Sequence, residues 1–268
     1  MQCRYKERLI KAGDMVFGIV SAEYRKGGKR RGKFRPTSEE QQRYNEWRAQ
    51  NRLTWLIHEN FGKADYAVHL TYADGCYPES EERFEKDCRN YIARLRRIYK
   101  KAGVEFKWIM IRAYSGTGRC HIHMIVSGGV DRDVIESAWG FGRANSDRLQ
   151  FNACGVVDLS RYLYGQRNAG KRRWSGSQNL SEPVERINVT RYAKKDLEWV
   201  NDCGNPHKFF ADRYPGYWLS EFPEIEKNPY NGSWRLCFVL YRPDSENLAG
   251  YARKAENHKR VFEEGGSR

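Results

Sequence analysis

The stretch that most restricts how this chain can fold is RCHIHMIVSGG, Arg119–Gly129. In a β-strand successive side chains take opposite faces. Cys120, Ile122, Met124 and Val126 then share one face, suited to a core beneath helices, while His121 and His123 share the other. The two imidazoles stand roughly 6–7 Å apart along such a strand. Each ring has a donor and an acceptor to satisfy, so a fully buried pair without partners would be costly. Either their face is open to solvent and ligand, or the rings have partners. Two rings so placed can converge on one metal ion, but two surface histidines or two satisfied ones give the same triplet. The acids or histidines that often follow such a pair, as in HxHxDH, are absent, because Met124, Ile125 and Val126 come next.

The flanks supply the rest of a layered domain. VEFKWIMI (Val104–Ile111) reads as a strand and YSGTG as a turn, so the histidine strand closes a hairpin. YAVHLTY (Tyr66–Tyr72) is a third strand, with Tyr66, Val68, Leu70 and Tyr72 on one face. Pro78 and Ser80 precede an amphipathic helix carrying Phe84, Cys88, Tyr91, Ile92, Leu95, Ile98 and Tyr99, which Gly103 ends. An earlier helix opens at Thr37, with Glu40 completing a capping box, and runs through Trp47, Leu53 and Leu56 towards Phe61. A short helix follows Asp131, with Val134, Ala138 and Trp139 facing in. DLSRYLYGQ is another helix, with Asp158 as its N-cap. WRLCFVLYR (Trp234–Arg242) is a late strand, and residues 167–190 are loop-like and basic. There are no internal repeats.

Charge narrows the partner. A net charge of +14 and a pI near 9.5 attract polyanions, chiefly nucleic acid. The segment YRKGGKRRGKFRP (Tyr24–Pro36) is a glycine-rich basic arm in which Lys29, Arg30 and Arg31 can track phosphates, or stand as a solvated charge run. The seven cysteines are scattered with no CxxC, which points to neither a zinc knuckle nor a disulfide framework and suits a reducing cytoplasm. No segment approaches the ~20 apolar residues of a membrane span. The N-terminal residues lack the apolar centre of a signal peptide.

A nucleophile can be sought on the DLSRYLYGQ helix. Spacing of three and four puts Leu159, Tyr162, Leu163 and Gln166 on one face, with Tyr164 about 200° from Tyr162. If the Leu159/Leu163 side packs inward, Tyr162 points towards the sheet and Tyr164 away. A phenol, with pKa near ~10, attacks usefully when its target is made electrophilic, as a cation polarising a phosphate oxygen does. With 17 tyrosines in the chain, packing is the ordinary role for one on a helix.

These residues, in this order, resemble rolling-circle replication initiators (Rep proteins) of the HUH endonuclease superfamily, in the group carried by small plasmids, integrative elements and phages. The resemblance rests on VHLTYA (Val68–Ala73), GRCHIHMIVSGGVDRDVIESAWGFGRANSDRLQ (Gly118–Gln150), GVVDLSRYLYGQ (Gly155–Gln166) and KRRWSGSQNLSEP (Lys171–Pro183), within about residues 37–200. It implies an α+β fold: an antiparallel sheet of about five strands with flanking helices, the histidines on a central strand. It implies Mg²⁺ or Mn²⁺ held by His121 and His123. Tyr162 would attack single-stranded DNA at a replication origin, giving a 5′-phosphotyrosine link and a free 3′-OH for priming. The chain then divides into a basic segment (1–36), an endonuclease domain (37–242) and a polar tail (243–268).

This chain departs from the family pattern at two places. Many relatives have a Glu just upstream as a third ligand, where Arg112 and Ala113 stand here, and His69 is the candidate substitute. Relatives often carry a Lys shortly after the tyrosine, where Gly165 and Gln166 stand, which leaves Lys171, Arg172 or Arg173 to supply positive charge or to hold DNA backbone. A single-tyrosine enzyme needs a second subunit, hence a homo-oligomer, or a water step to terminate a round. With no GxxxxGK[ST] motif, unwinding falls to a host helicase and extension to a host polymerase. A relaxase or single-tyrosine transposase would use the same chemistry. A non-enzymatic module binding single-stranded nucleic acid on an aromatic sheet is the other reading, as is a hydrolase unrelated to DNA, which the charge disfavours.

Overall fold

The computed structural model of the chain describes residues 4–23, 39–114, 120–152, 154–165, 174–228 and 232–244. In chain order its elements are β1 (Arg4–Ala12), β2 (Met15–Glu23), α1 (Glu39–Asn60), β3 (Tyr66–Thr71), α2 (Glu81–Ala102), β4 (Trp108–Ala113), β5 (His121–Val126), α3 (Arg132–Ser137), β6 (Ala144–Arg148), α4 (Val157–Gly165), β7 (Ser175–Gly176), β8 (Val184–Asn188), α5 (Lys194–Asp202), α6 (His207–Arg213), β9 (Trp218–Leu219), β10 (Glu224–Lys227) and β11 (Trp234–Tyr241). The class is α+β, as the sequence predicts, but with two antiparallel sheets where one was expected. The chain divides into two compact units.

The unit of Arg48–Gln150 and Val156–Glu182 carries the histidine strand. Its five-stranded sheet has the order β6-β3-β5-β4-β7, so β5 is central. Helix α2 covers one face. Ser80 caps it by accepting the Arg83 N–H at 3.2 Å, and Gly103 ends it at φ 68°, a left-handed conformation glycine adopts without a Cβ penalty. Phe84, Cys88, Tyr91, Leu95 and Tyr99 form its buried stripe and meet Val68 and Leu70 of β3, Met110 of β4, and Ile122, Met124 and Val126 of β5, with Cys120 just before β5. That is the apolar face read from the alternation of residues 120–126.

Several local expectations shift. Strand β4 begins at Trp108 rather than Val104. Helix α3 is capped by Asp131, which accepts the Asp133 N–H at 2.8 Å, but it turns Ile135 inward and leaves Val134 exposed. Trp139 is fully buried as predicted, and its indole N–H donates to Thr71 O at 2.9 Å. Strand β6 was not legible beforehand, because an edge strand reading ANSDR has no apolar alternation. Within the basic stretch expected to be loop-like, β7 and β8 form. Thr37 of the predicted capping box lies outside the described residues.

In the other unit, a six-stranded sheet runs β10-β11-β2-β1-β8, with β9 paired to β11. Val16, Val20, Leu236, Phe238 and Leu240 pack against Leu197 and Val200 of α5 and Phe210 of α6. The late strand therefore exists, but it pairs with β2 and not with the histidine strands. Among the described residues no helix is long and apolar enough to cross a membrane.

Candidate functional site

Register assembles the site. On antiparallel strands, directly opposed residues share a face. His123 of β5 stands opposite His69 of β3 on one side and Ile111 of β4 on the other. His69 in turn stands opposite Asn145 of β6. The neighbouring row on the same face is Thr71, His121 and Ala113. Three histidines from two strands therefore occupy two adjacent rows. The ring centroids lie 4.5 Å apart for His69–His123, 5.2 Å for His121–His123 and 5.9 Å for His69–His121.

This face is not open along its whole length, as the alternation alone suggested. His69 is exposed and His121 half-buried, but His123 is 6% exposed. Further along, Ile109, Ile111 and Ile125 are fully buried. Burial, followed by the charges of His69 and His121, drives the His123 pKa down to about 4. His69 is lowered by burial, then by His121, then by Arg143. Both rings are thus kept neutral, the form that binds a metal.

The donors suit a divalent cation: neutral imidazoles side by side, and a buried His123 Nε2 with no hydrogen-bond partner. The arrangement of the rings is less favourable. Among the described residues no three His, Cys, Asp or Glu side chains are disposed to hold a metal ion. The His69 and His123 rings are stacked within 5° of parallel, and since an imidazole lone pair lies in the ring plane, theirs run side by side and do not meet. A shared ion requires one ring to turn. No acid stands on β4 to complete the set. Arg112 lies on the opposite face and pairs with Glu85 of α2 at 2.5 Å, and Ala113 faces His121.

Helix α4 brings a tyrosine to these rings, by a different face from the one predicted. Its buried stripe is Val157, Ser160, Leu163 and Tyr164, whereas Leu159 is only half-buried. Tyr164, expected to point away, is 5% exposed and belongs to the core. Tyr162 lies on the flank of that stripe, 54% exposed, with its ring edge-on to His123 at 5.5 Å. The helix starts at Val157, so Asp158 falls in its first turn. A buried polar chain seats it. Val156 N–H donates to His58 Nε2 at 3.0 Å, and His58 Nδ1 lies 2.8 Å from Thr54 O. A carbonyl only accepts, so Nδ1 carries the proton. Thr54 Oγ1 and Ser160 Oγ are 2.6 Å apart, and Ser160 Oγ donates to Val157 O at 2.7 Å. Ser160 has one proton, so Thr54 is the donor between the two hydroxyls.

Lys171, Arg172, Arg173 and Gln166, and Lys29, Arg30 and Arg31 of the arm, lie outside the described residues. Sequence reasoning missed Thr54, His58 and Ser160, whose partners come from distant segments. It also missed β6, which lines the edge of the histidine face with Asn145 and Asp147, joined by an Asn145 Nδ2 donation at 2.9 Å.

Residues 65–166 match a family model of replication-associated proteins, the ORF2 type. This stretch is Rep-type. It runs from just before β3 through the end of α4 and so contains His69, His121, His123 and Tyr162. No curated protein and no solved structure matches the chain.

Proposed function

We propose that the Rep-type stretch initiates replication by nicking single-stranded origin DNA, with Tyr162 as nucleophile. The observation that carries this reading is the position of Tyr162: an exposed phenol beside His123, on the one face where three histidines gather. Attack by the Tyr162 oxygen on phosphorus forms one P–O bond and breaks the bond to the 3′ oxygen, which leaves with a proton as a free 3′-OH. The product is a 5′-phosphotyrosine, and the bond count is unchanged, so no nucleotide is consumed and the reverse transfer rejoins the ends. Mg²⁺ or Mn²⁺ held by His121 and His123, with His69 as third ligand, would supply polarisation of a non-bridging oxygen. His123, kept neutral by burial, is ready to bind without first losing a proton. The 3′ end would pass to a host polymerase and unwinding to a host helicase.

The test is covalent capture. Single-stranded oligonucleotides from the chain's own replicon are incubated with and without Mn²⁺ and run on a denaturing gel. An adduct forms with the wild type and with Tyr164→Phe, given correct folding. It disappears in Tyr162→Phe, which still binds DNA, and in His121→Ala and His123→Ala. A nucleotide mapped to Tyr164, or outside α4, overturns the assignment, and so does normal metal-dependent cleavage by the double histidine variant.

A further inference from the structure

The geometry points to Arg143 as a phosphate-binding residue at the edge of the histidine face, holding the DNA strand where it crosses β6, at or within one linkage of the scissile bond. The inference rests on the nicking reading for the location of that bond.

The placement of Arg143 is built into the backbone. Thr71 N–H donates to Arg143 O at 2.8 Å and Ala73 N–H to Phe141 O at 2.9 Å, so residues 141–143 continue the β3–β6 ladder. The Thr71 hydroxyl also donates to Arg143 O, at 3.3 Å. Gly142 makes this approach feasible: a Cβ there would lie 2.4 Å from both Ala73 N and Thr71 O. Since His69 stands opposite Asn145 and Leu70 opposite Ala144, one further step puts Arg143 opposite Thr71. Arg143 therefore shares a face and a row with Thr71 and His121. Strand spacing puts its Cα roughly 10 Å from that of His121, a gap that an arginine and a phosphate together can span.

The chemistry of the side chain agrees. Arg143 is exposed, and its guanidinium forms no ion pair with any described residue. Other arginines of this unit are occupied: Arg52 with Glu182, Arg83 with Asp87 and Arg112 with Glu85. The charge of Arg143 is felt at His69, which places it close to the histidine cluster. A fixed, solvent-facing guanidinium with no carboxylate partner, beside neutral rings, is suited to a phosphate, which it can grip with two parallel N–H bonds. Asp147, the acid on the same edge, stands opposite Ala67, two residues beyond His69, and is held by Asn145.

The experiment couples one side chain to one phosphate. In the non-cleaving Tyr162→Phe background, single-stranded origin oligonucleotides are prepared, each with one neutral methylphosphonate linkage. Their binding to the protein with Arg143 and with Arg143→Gln is followed by fluorescence anisotropy across salt. Arg143→Gln should weaken binding to unmodified DNA roughly three- to tenfold and reduce the salt slope by about 0.7, the value for one contact on a single strand. At one linkage position the methylphosphonate should weaken the parent protein but not Arg143→Gln. Arg143→Lys should restore the salt slope. Equal sensitivity of both proteins at every linkage, or unchanged affinity and slope in Arg143→Gln, overturns the proposal. A coupled linkage more than one step from the site mapped by wild-type cleavage overturns its stated position. If the wild-type protein yields no adduct, the nicking reading fails while the coupling still decides whether Arg143 binds a phosphate.

Discussion

Replacing His58 with Leu tests whether the buried polar chain holds α4 in place. Leucine is close to histidine in volume, so the change removes two polar contacts without opening a large cavity. Thr54 O keeps its ordinary helical partner, so the loss there is small. Val156 is 2% exposed, however, and its N–H would lose its acceptor in a site that water does not reach freely. An orphaned buried donor costs about 1–3 kcal/mol, and about 2 is the central expectation. For a unit of this size each kcal/mol moves the melting temperature by about 3–5 °C, so the midpoint should fall by about 6–10 °C. His58→Gln, which offers a carbonyl oxygen to the same N–H, should recover about half of that. Thermal melts followed by circular dichroism measure both. The adduct rate measured well below the midpoint should also fall in His58→Leu, because Tyr162 lies one and a half turns from the seat at Val156 and depends on it for position. A midpoint within about 2 °C of wild type would refute the idea that this bond anchors the helix.

Three other expectations rest on the same geometry. The His123 pKa is depressed to about 4 by burial, so between the ordinary histidine value and that point the unfolded chain binds a proton that the folded chain does not. Stability should therefore decline as pH falls from about 6.5 to 4 and be unaffected by this group above that range. In chelator, the difference in urea midpoint between wild type and His123→Gln should shrink across the same window, and a constant difference would contradict it. Gly142→Ala must push apart backbone atoms that its Cβ would meet at 2.4 Å, costing about 1–3 kcal/mol in a melt. It should weaken DNA binding as Arg143 moves away, and an unaltered melt would show the strands have room to give. Neutralising Lys29, Arg30 and Arg31 should flatten the salt dependence of binding by about 0.7 per lost contact and leave adduct yield at saturating DNA unchanged. An unchanged slope would return the arm to a solvated charge run.

What could be read along the chain was local and periodic. Alternation in residues 120–126 is enough to assign β5, to predict its buried face and to put His121 and His123 together on the other, because a strand has a two-residue period whatever surrounds it. The stripe from Phe84 to Tyr99 similarly settles α2, and Ser80 and Gly103 settle its ends. Whatever depends on the element lying opposite came from packing. Only strand pairing brings His69 level with His123 and Asn145, since nothing in VHLTYA states its register against HIHMIV. Helical spacing limits α4 to a few candidate faces, but the choice of Ser160 and Tyr164 over Leu159 as the buried side was made by Thr54 and His58, about a hundred residues away in sequence. Burial of His123 came from the same cause. A strand's alternation says which residues share a face, and only the packed neighbours say whether that face meets water, a helix or a ligand.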